Sequence, residues 1–114
     1  MGILQEVQFV DLVWRCKMLL KMGVDISKLE YHCRKALNTI QSVFTQMKLR
    51  EPVITSTYEG THSPGSLHYQ HRAFDLRLPE VSLSAIIPKL KEALGSDFDV
   101  IGETSHIHIE FDPK

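Results

Sequence analysis

Residues 98 to 111 read FDVIGETSHIHIEF. In the second half Ile107, Ile109 and Phe111 alternate with His106, His108 and Glu110, the period of a strand with one apolar face. FDVIG is a second short apolar run, and the residues from Gly102 to Ser105 make a turn between the two, so the stretch predicts a β-hairpin. The apolar set faces a core. The two imidazoles and the carboxylate share the opposite face. At a rise of about 3.3 Å per residue, His106 and His108 stand about 7 Å apart at the backbone, and both rings can reach one site.

Upstream, RAFDLRL at 72 to 78 alternates in the same way, with Phe74, Leu76 and Leu78 toward a core and Ala73, Asp75 and Arg77 on the other face. Between these strands, SLSAIIPKLKEALG predicts a helix opened near Ser82 and stopped by Gly95, with Pro88 either kinking it or marking its start. VITS at 53 to 56 reads as a short buried strand after Pro52, and YEGTHSPGS as a loop. Before Pro52, the segment from Asp25 to Leu49 carries Leu29, Cys33, Leu37, Ile40, Val43, Phe44 and Met47 at amphipathic helical spacing, with Ser27 and Glu30 as a candidate capping box. A first helix is predicted between Gln5 and Met22 from Phe9, Val10, Leu12, Val13, Met18, Leu19 and Leu20, ended by Gly23. The order is helix, helix, strand, loop, strand, helix, strand, strand, which is α+β.

The chain of 114 residues is expected to be a single domain. Its composition is that of a soluble globular protein, 43% hydrophobic and 24% charged. A net charge of -1 and a pI near 6.6 provide no basic field, so no nucleic-acid partner is expected. Cys16 and Cys33 lack the spacing of a redox or zinc motif and read as reduced, packed thiols. The N-terminal stretch has no basic segment ahead of its apolar residues, and Glu6, Asp11, Arg15 and Lys17 interrupt it. Neither a signal peptide nor a membrane span is expected. A product acting outside its cell of origin would then be cytoplasmic at synthesis and leave by lysis or inside a particle.

Five of the six histidines fall between His62 and His108. An isolated H-x-H on a strand usually belongs to a solvated face. Here the chain also offers His68 at the end of a Gly/Ser loop, Asp75 on the non-core face of one strand and His108 on that of another. Two imidazoles and one carboxylate suit one Zn2+ ion with a fourth position left for water. Zinc lowers the pKa of such a water toward about 7 and polarises carbonyls.

SLHYQHRAFD, from Ser66 to Asp75, and SHIH, from Ser105 to His108, resemble the S-x-H-x-x-G-x-A-x-D and D-H-x-H signatures of zinc D-alanyl-D-alanine carboxypeptidases. The chain is especially similar to short phage-encoded members, in the run from Gly60 to Tyr69 and in HIHIEFDPK from His106 to Lys114. The resemblance covers about residues 30 to 114 and leaves the N-terminal helix, residues 1 to 24, outside it. It implies a small α+β domain of the hedgehog/DD-peptidase fold, with an antiparallel sheet carrying the zinc between flanking helices. It further implies that His68, Asp75 and His108 are the zinc ligands and that His106 stabilises an oxyanion. The implied activity is that of a metallopeptidase hydrolysing a bond in the stem peptide of bacterial peptidoglycan, from a phage product released at lysis or carried in the virion.

Three positions depart from the pattern. Ser105 stands where the family usually has the aspartate that serves as general base, and Glu103 is the nearest substitute, on the same strand face if the strand extends that far. His71 occupies the glycine position. Glu59 stands near an arginine that meets the substrate carboxylate in many relatives. Candidate substrate contacts are His62, which equally well caps its own loop, with Ser66, His71 and Arg77. The departures keep a second reading open: a zinc-binding wall-recognition or virion module that has lost its base.

Overall fold

The computed structural model describes residues 18 to 57 and 71 to 113. The described elements are β1 (Leu19–Leu20), α1 (Tyr31–Gln46), β2 (Val53–Ser56), β3 (Ala73–Arg77), α2 (Leu83–Leu94), β4 (Phe98–Gly102) and β5 (His106–Phe111). They form a five-stranded sheet in the order β1-β2-β3-β5-β4, with α1 and α2 packed together on one side. The fold is α+β. The sheet is mixed rather than purely antiparallel, because β1 runs parallel to β2 while the remaining pairs are antiparallel.

β1 corrects the sequence expectation of a helix reaching Met22. Leu19 pairs with Val53 and Leu20 with Ile54, and the Leu19 and Lys21 N–H groups donate to the Pro52 and Ile54 carbonyls at 3.0 and 2.9 Å. An available strand edge satisfies the backbone here, and the consecutive apolar residues Met18, Leu19 and Leu20 suit either state. The rest of that predicted helix lies outside the described residues, as does the whole YEGTHSPGS loop.

α1 begins later than Asp25, and its cap differs from the one predicted. Glu30 is the N-cap, its carboxylate accepting from the His32 N–H at 2.8 Å. The Ser27 N–H is instead held by the Asp25 carboxylate at 2.8 Å, a local turn that competes with helix. From there the apolar stripe behaves as its spacing requires. Cys33, Ala36, Leu37, Ile40, Val43 and Phe44 are buried, with Leu29 beneath the first turn.

α2 runs from its Ser82 cap to Gly95, whose φ of +86° ends it, and Pro88 lies inside. The proline removes the donor that the Ser84 carbonyl would receive, and Ser84 is exposed, where water can replace it. Ile86 and Leu90 are fully buried. They meet the apolar face of the sheet, formed by Ile54, Phe74, Leu76, Val100, Ile107 and Ile109. Gly102 lets α2 approach closely, since a Cβ there would stand 3.0 Å from Leu83 Cδ1. Burying a side chain such as Leu90 or Ile107 contributes about 1.5–3 kcal/mol, so this layer holds β3 and β5 together beneath the polar face. Among the described residues, no helix is long and apolar enough to cross a membrane.

Candidate metal centre

The register of β3 against β5 decides what the polar face can do. Asp75 lies opposite His108, Arg77 opposite His106 and Ala73 opposite Glu110. Residues directly opposite in an antiparallel pair project to the same side with their Cβ atoms about 4.5–5.5 Å apart. Asp75, His106, His108 and Glu110 therefore share one surface.

Within it, His108 is held at both ends. Its Nδ1 donates to Asp75 Oδ1 at 3.0 Å and its Nε2 to Glu110 Oε1 at 2.7 Å. With a carboxylate at each nitrogen the imidazolium is favoured. The hydrogen bond to Asp75, more than that to Glu110, holds the His108 pKa above the ordinary histidine value against the opposing effect of burial. Asp75 is itself buried, at 7% exposure.

His106 is arranged differently. Its Nδ1 lies 2.9 Å from Ser105 Oγ, and its Nε2 lies 3.8 Å from the same Asp75 oxygen that His108 contacts. The two rings flank one carboxylate oxygen.

Among the described residues, the Asp75–His108 pair has the donor types and the spacing of two zinc ligands. Two zinc ligands at about 2.0–2.1 Å in tetrahedral geometry stand about 3.3 Å from each other, close to the 3.0 Å between Asp75 Oδ1 and His108 Nδ1. A metal ion would replace the shared proton, leaving His108 Nε2–H on Glu110. That is the carboxylate–histidine–metal arrangement which sets a ligand's tautomer and raises its basicity. Asp75 and His108 are thus brought together. The third predicted ligand, His68, lies outside the described residues, as do His62, Ser66 and Glu59.

The remaining predicted residues are scattered. Glu103 is exposed in the turn that follows β4, its N–H donating to the His106 carbonyl at 2.8 Å, so the strand does not extend as far as Glu103 and the condition for its sharing the histidine face is not met. Gly102, opposite Ile107, is the last paired residue. Arg77 is exposed at the end of β3. His71 sits in the turn before β3, half-buried, its carbonyl accepting from the Glu30 N–H at 2.8 Å. Its φ of +61° is a left-handed conformation that favours glycine.

Glu110 was not among the residues singled out from sequence for this chemistry, although strand alternation had already set it on the histidine face. It also belongs to a second group. The carboxylates of Asp99, Glu110 and Asp112 lie with oxygens within 4.8 Å of one another. Asp99 enters through its pairing with Glu110 across β4 and β5, which no local pattern announces. Two surface grooves of about 550 and 530 Å³ contain none of Asp75, His106 and His108. Comparison with known proteins yields no matching family profile, curated protein or solved structure.

Proposed function

We propose that the protein is a zinc-dependent peptidase acting on the stem peptide of bacterial peptidoglycan, with the α+β fold of the hedgehog/DD-peptidase type. The observation that carries this reading is the Asp75–His108 pair, 3.0 Å apart on adjacent strands. These are two of the three residues that the signatures nominate as ligands. The left-handed backbone of His71, at the signature's glycine position, supports the same reading.

His68, Asp75 and His108 would hold the ion, which when bound supplies a Lewis acid and a water of lowered pKa. Glu110 orients His108 through Nε2. His106 presents Nε2 beside Asp75, where it can donate to the oxyanion that develops on the scissile carbonyl. The proton released by the attacking water goes to the Glu103 carboxylate, or through water to His106. Substrate contacts fall to His62, Ser66, His71 and Arg77.

A second reading has a specific observation in its favour. Ser105 stands where a base is expected, its hydroxyl is committed to His106, and Glu103 lies in an exposed turn. A zinc-bearing wall-binding or virion module without turnover would look this way.

The test is incubation of the purified, zinc-loaded chain with stem peptides from about pH 5 to about pH 9, with fragments read by mass spectrometry. Cleavage that disappears in His108→Ala and Glu103→Ala supports the peptidase. Absence of cleavage throughout, with zinc still bound, overturns it in favour of the module, for which Ser105→Asp should then create activity.

A further inference from the structure

We propose that the outer edge of β4 is a docking site for an extended polypeptide segment of alternating apolar and basic residues, which joins the sheet as a further strand.

β4 is the last strand in the order β1-β2-β3-β5-β4, so only one of its edges is paired. The bonds at its two ends show which backbone groups face outward. The Glu103 N–H donates to the His106 carbonyl and the Asp112 N–H to the Asp97 carbonyl, each at 2.8 Å. In an antiparallel ladder bonded pairs recur at every second residue, so Asp99 bonds with Glu110 and Ile101 with His108. Phe98, Val100 and Gly102 therefore turn their N–H and C=O groups away from β5. The Phe98 N–H is taken by the Gly95 carbonyl at 3.3 Å. Among the described residues, nothing pairs with the Phe98 carbonyl or with the N–H and C=O of Val100 and Gly102.

Edge strands are usually guarded by a lysine or proline in the strand, by a bulge, or by a covering segment. Phe98–Gly102 reads FDVIG, and its register against β5 is unbroken. One of the surface grooves, of about 530 Å³, runs along this edge between Phe98, Val100 and Ile101 and the Lys91 side of α2. Ile101 is 44% exposed. A row of backbone donors and acceptors beside a groove is what an extended chain recognises.

Charge decides which extended chain. A residue opposite Val100 projects its side chain to the helix side, where the apolar stem of Lys91 can cover an apolar group. Its two neighbours project to the polar face, beside Asp99 and Ile101. There Asp99 stands opposite Glu110, and Asp112 adjoins them, with oxygens of all three within 4.8 Å of one another. Like charges directly opposite oppose strand pairing, and a basic side chain from an added strand offsets them. A second copy of the chain is disfavoured for the same reason. Two-fold pairing about Val100 would bring the acidic groups of both copies onto one face of a joined sheet.

The added strand lies beyond β4 at the usual spacing of about 4.8 Å. The Asp75–His108 pair lies on the other side of β5, between it and β3. The docking site is thus independent of the peptidase reading and stands or falls without it.

The experiment titrates the full 15N-labelled chain with blocked peptides of about seven residues: alternating valine and lysine, alternating valine and glutamate, and the valine–lysine peptide N-methylated at its valines. Those valines supply the N–H groups that would face β4. The valine–lysine peptide should bind saturably, with the Val100 and Gly102 amides shifting most and becoming protected from hydrogen exchange. The valine–glutamate peptide should bind about tenfold more weakly or worse, and Asp99→Lys should reverse that order. The N-methylated peptide should not bind. Lack of saturable valine–lysine binding, binding that leaves Val100 and Gly102 unperturbed, or equal binding of either control peptide overturns the proposal. A chain that sediments as a dimer, with both amides protected before any peptide is added, overturns it in favour of a second copy.

Discussion

Asp75 Oδ1 accepts from His108 Nδ1 at 3.0 Å across the β3–β5 ladder, and both residues are held on the polar face by the apolar layer beneath. A proton bridges a pair of atoms spaced almost as two zinc ligands are. Replacing that proton by a metal requires little movement of either strand. The native chain should therefore bind one zinc ion, and His108→Ala and Asp75→Asn should each lose it while far-UV circular dichroism stays native. Metal analysis after gel filtration decides this, and unchanged zinc in both variants would rule out the assignment.

Glu110 tests the orientation of the ligand rather than its identity. Glu110→Gln keeps the shape but removes the charge that holds Nε2–H. Zinc affinity measured by competition with a chelator should fall by about 10–100-fold. An affinity unaltered by the substitution would mean that His108 needs no carboxylate behind it.

The same two carboxylates set a pH dependence. They hold the His108 pKa above its unfolded value, so between the two values the folded state binds more protons than the unfolded one. This contribution is fully present below the unfolded pKa of about 6.5 and is lost as pH rises through the folded value. In zinc-free protein the urea midpoint should fall across that window, and His108→Gln should flatten the trend. Zinc binding should run the opposite way and tighten as pH rises, because metal and proton compete for Nδ1. A zinc-free midpoint that climbs with pH through the window would contradict the sign.

His71 offers a backbone test. At φ +61° a β-branched side chain is strongly disfavoured, so His71→Val should lose about 1–3 kcal/mol in urea unfolding. His71→Gly, which relieves the conformation but gives up the ring's contacts, should stay within about 1 kcal/mol of native. If glycine proved the more damaging substitution, the ring and not the backbone would be what this turn requires.

Cys33 is fully buried in α1, and burial, reinforced by the charge of Glu30, pushes its thiol up to about 12. Alkylation mapped by mass spectrometry should leave Cys33 unmodified in native protein and label it only after unfolding. Rapid labelling under native conditions would show that α1 opens locally.

Much of this molecule is written in local periodicity. The alternation in SHIHIEF and RAFDLRL separates Asp75, His106, His108 and Glu110 from the residues that build the core, because a strand's side chains alternate regardless of its partners. The stripe from Leu29 to Phe44 and the bounds of α2 at Ser82 and Gly95 are equally local, depending on helical pitch, a cap and a left-handed stop. Where two local signals compete, the reading fails. Leu19 and Leu20 suit a helix or a strand, and the free edge of β2 chooses the strand. Ser27 and Glu30 both resemble caps, and the Asp25 turn removes the first.

The sequence by itself thus determines which residues face the polar side of the sheet, because side-chain direction follows from backbone period alone. Only the tertiary structure decides that Asp75 stands opposite His108 and not one pair away, that Asp99 joins Glu110, and that His106 has Ser105 on one nitrogen and Asp75 near the other. Those relations depend on strand register. Register is set by the packing of Phe74, Leu76, Ile107 and Ile109 against α1, distant in the chain, and α2, which lies between the two strands, and no short window of neighbouring residues contains that information.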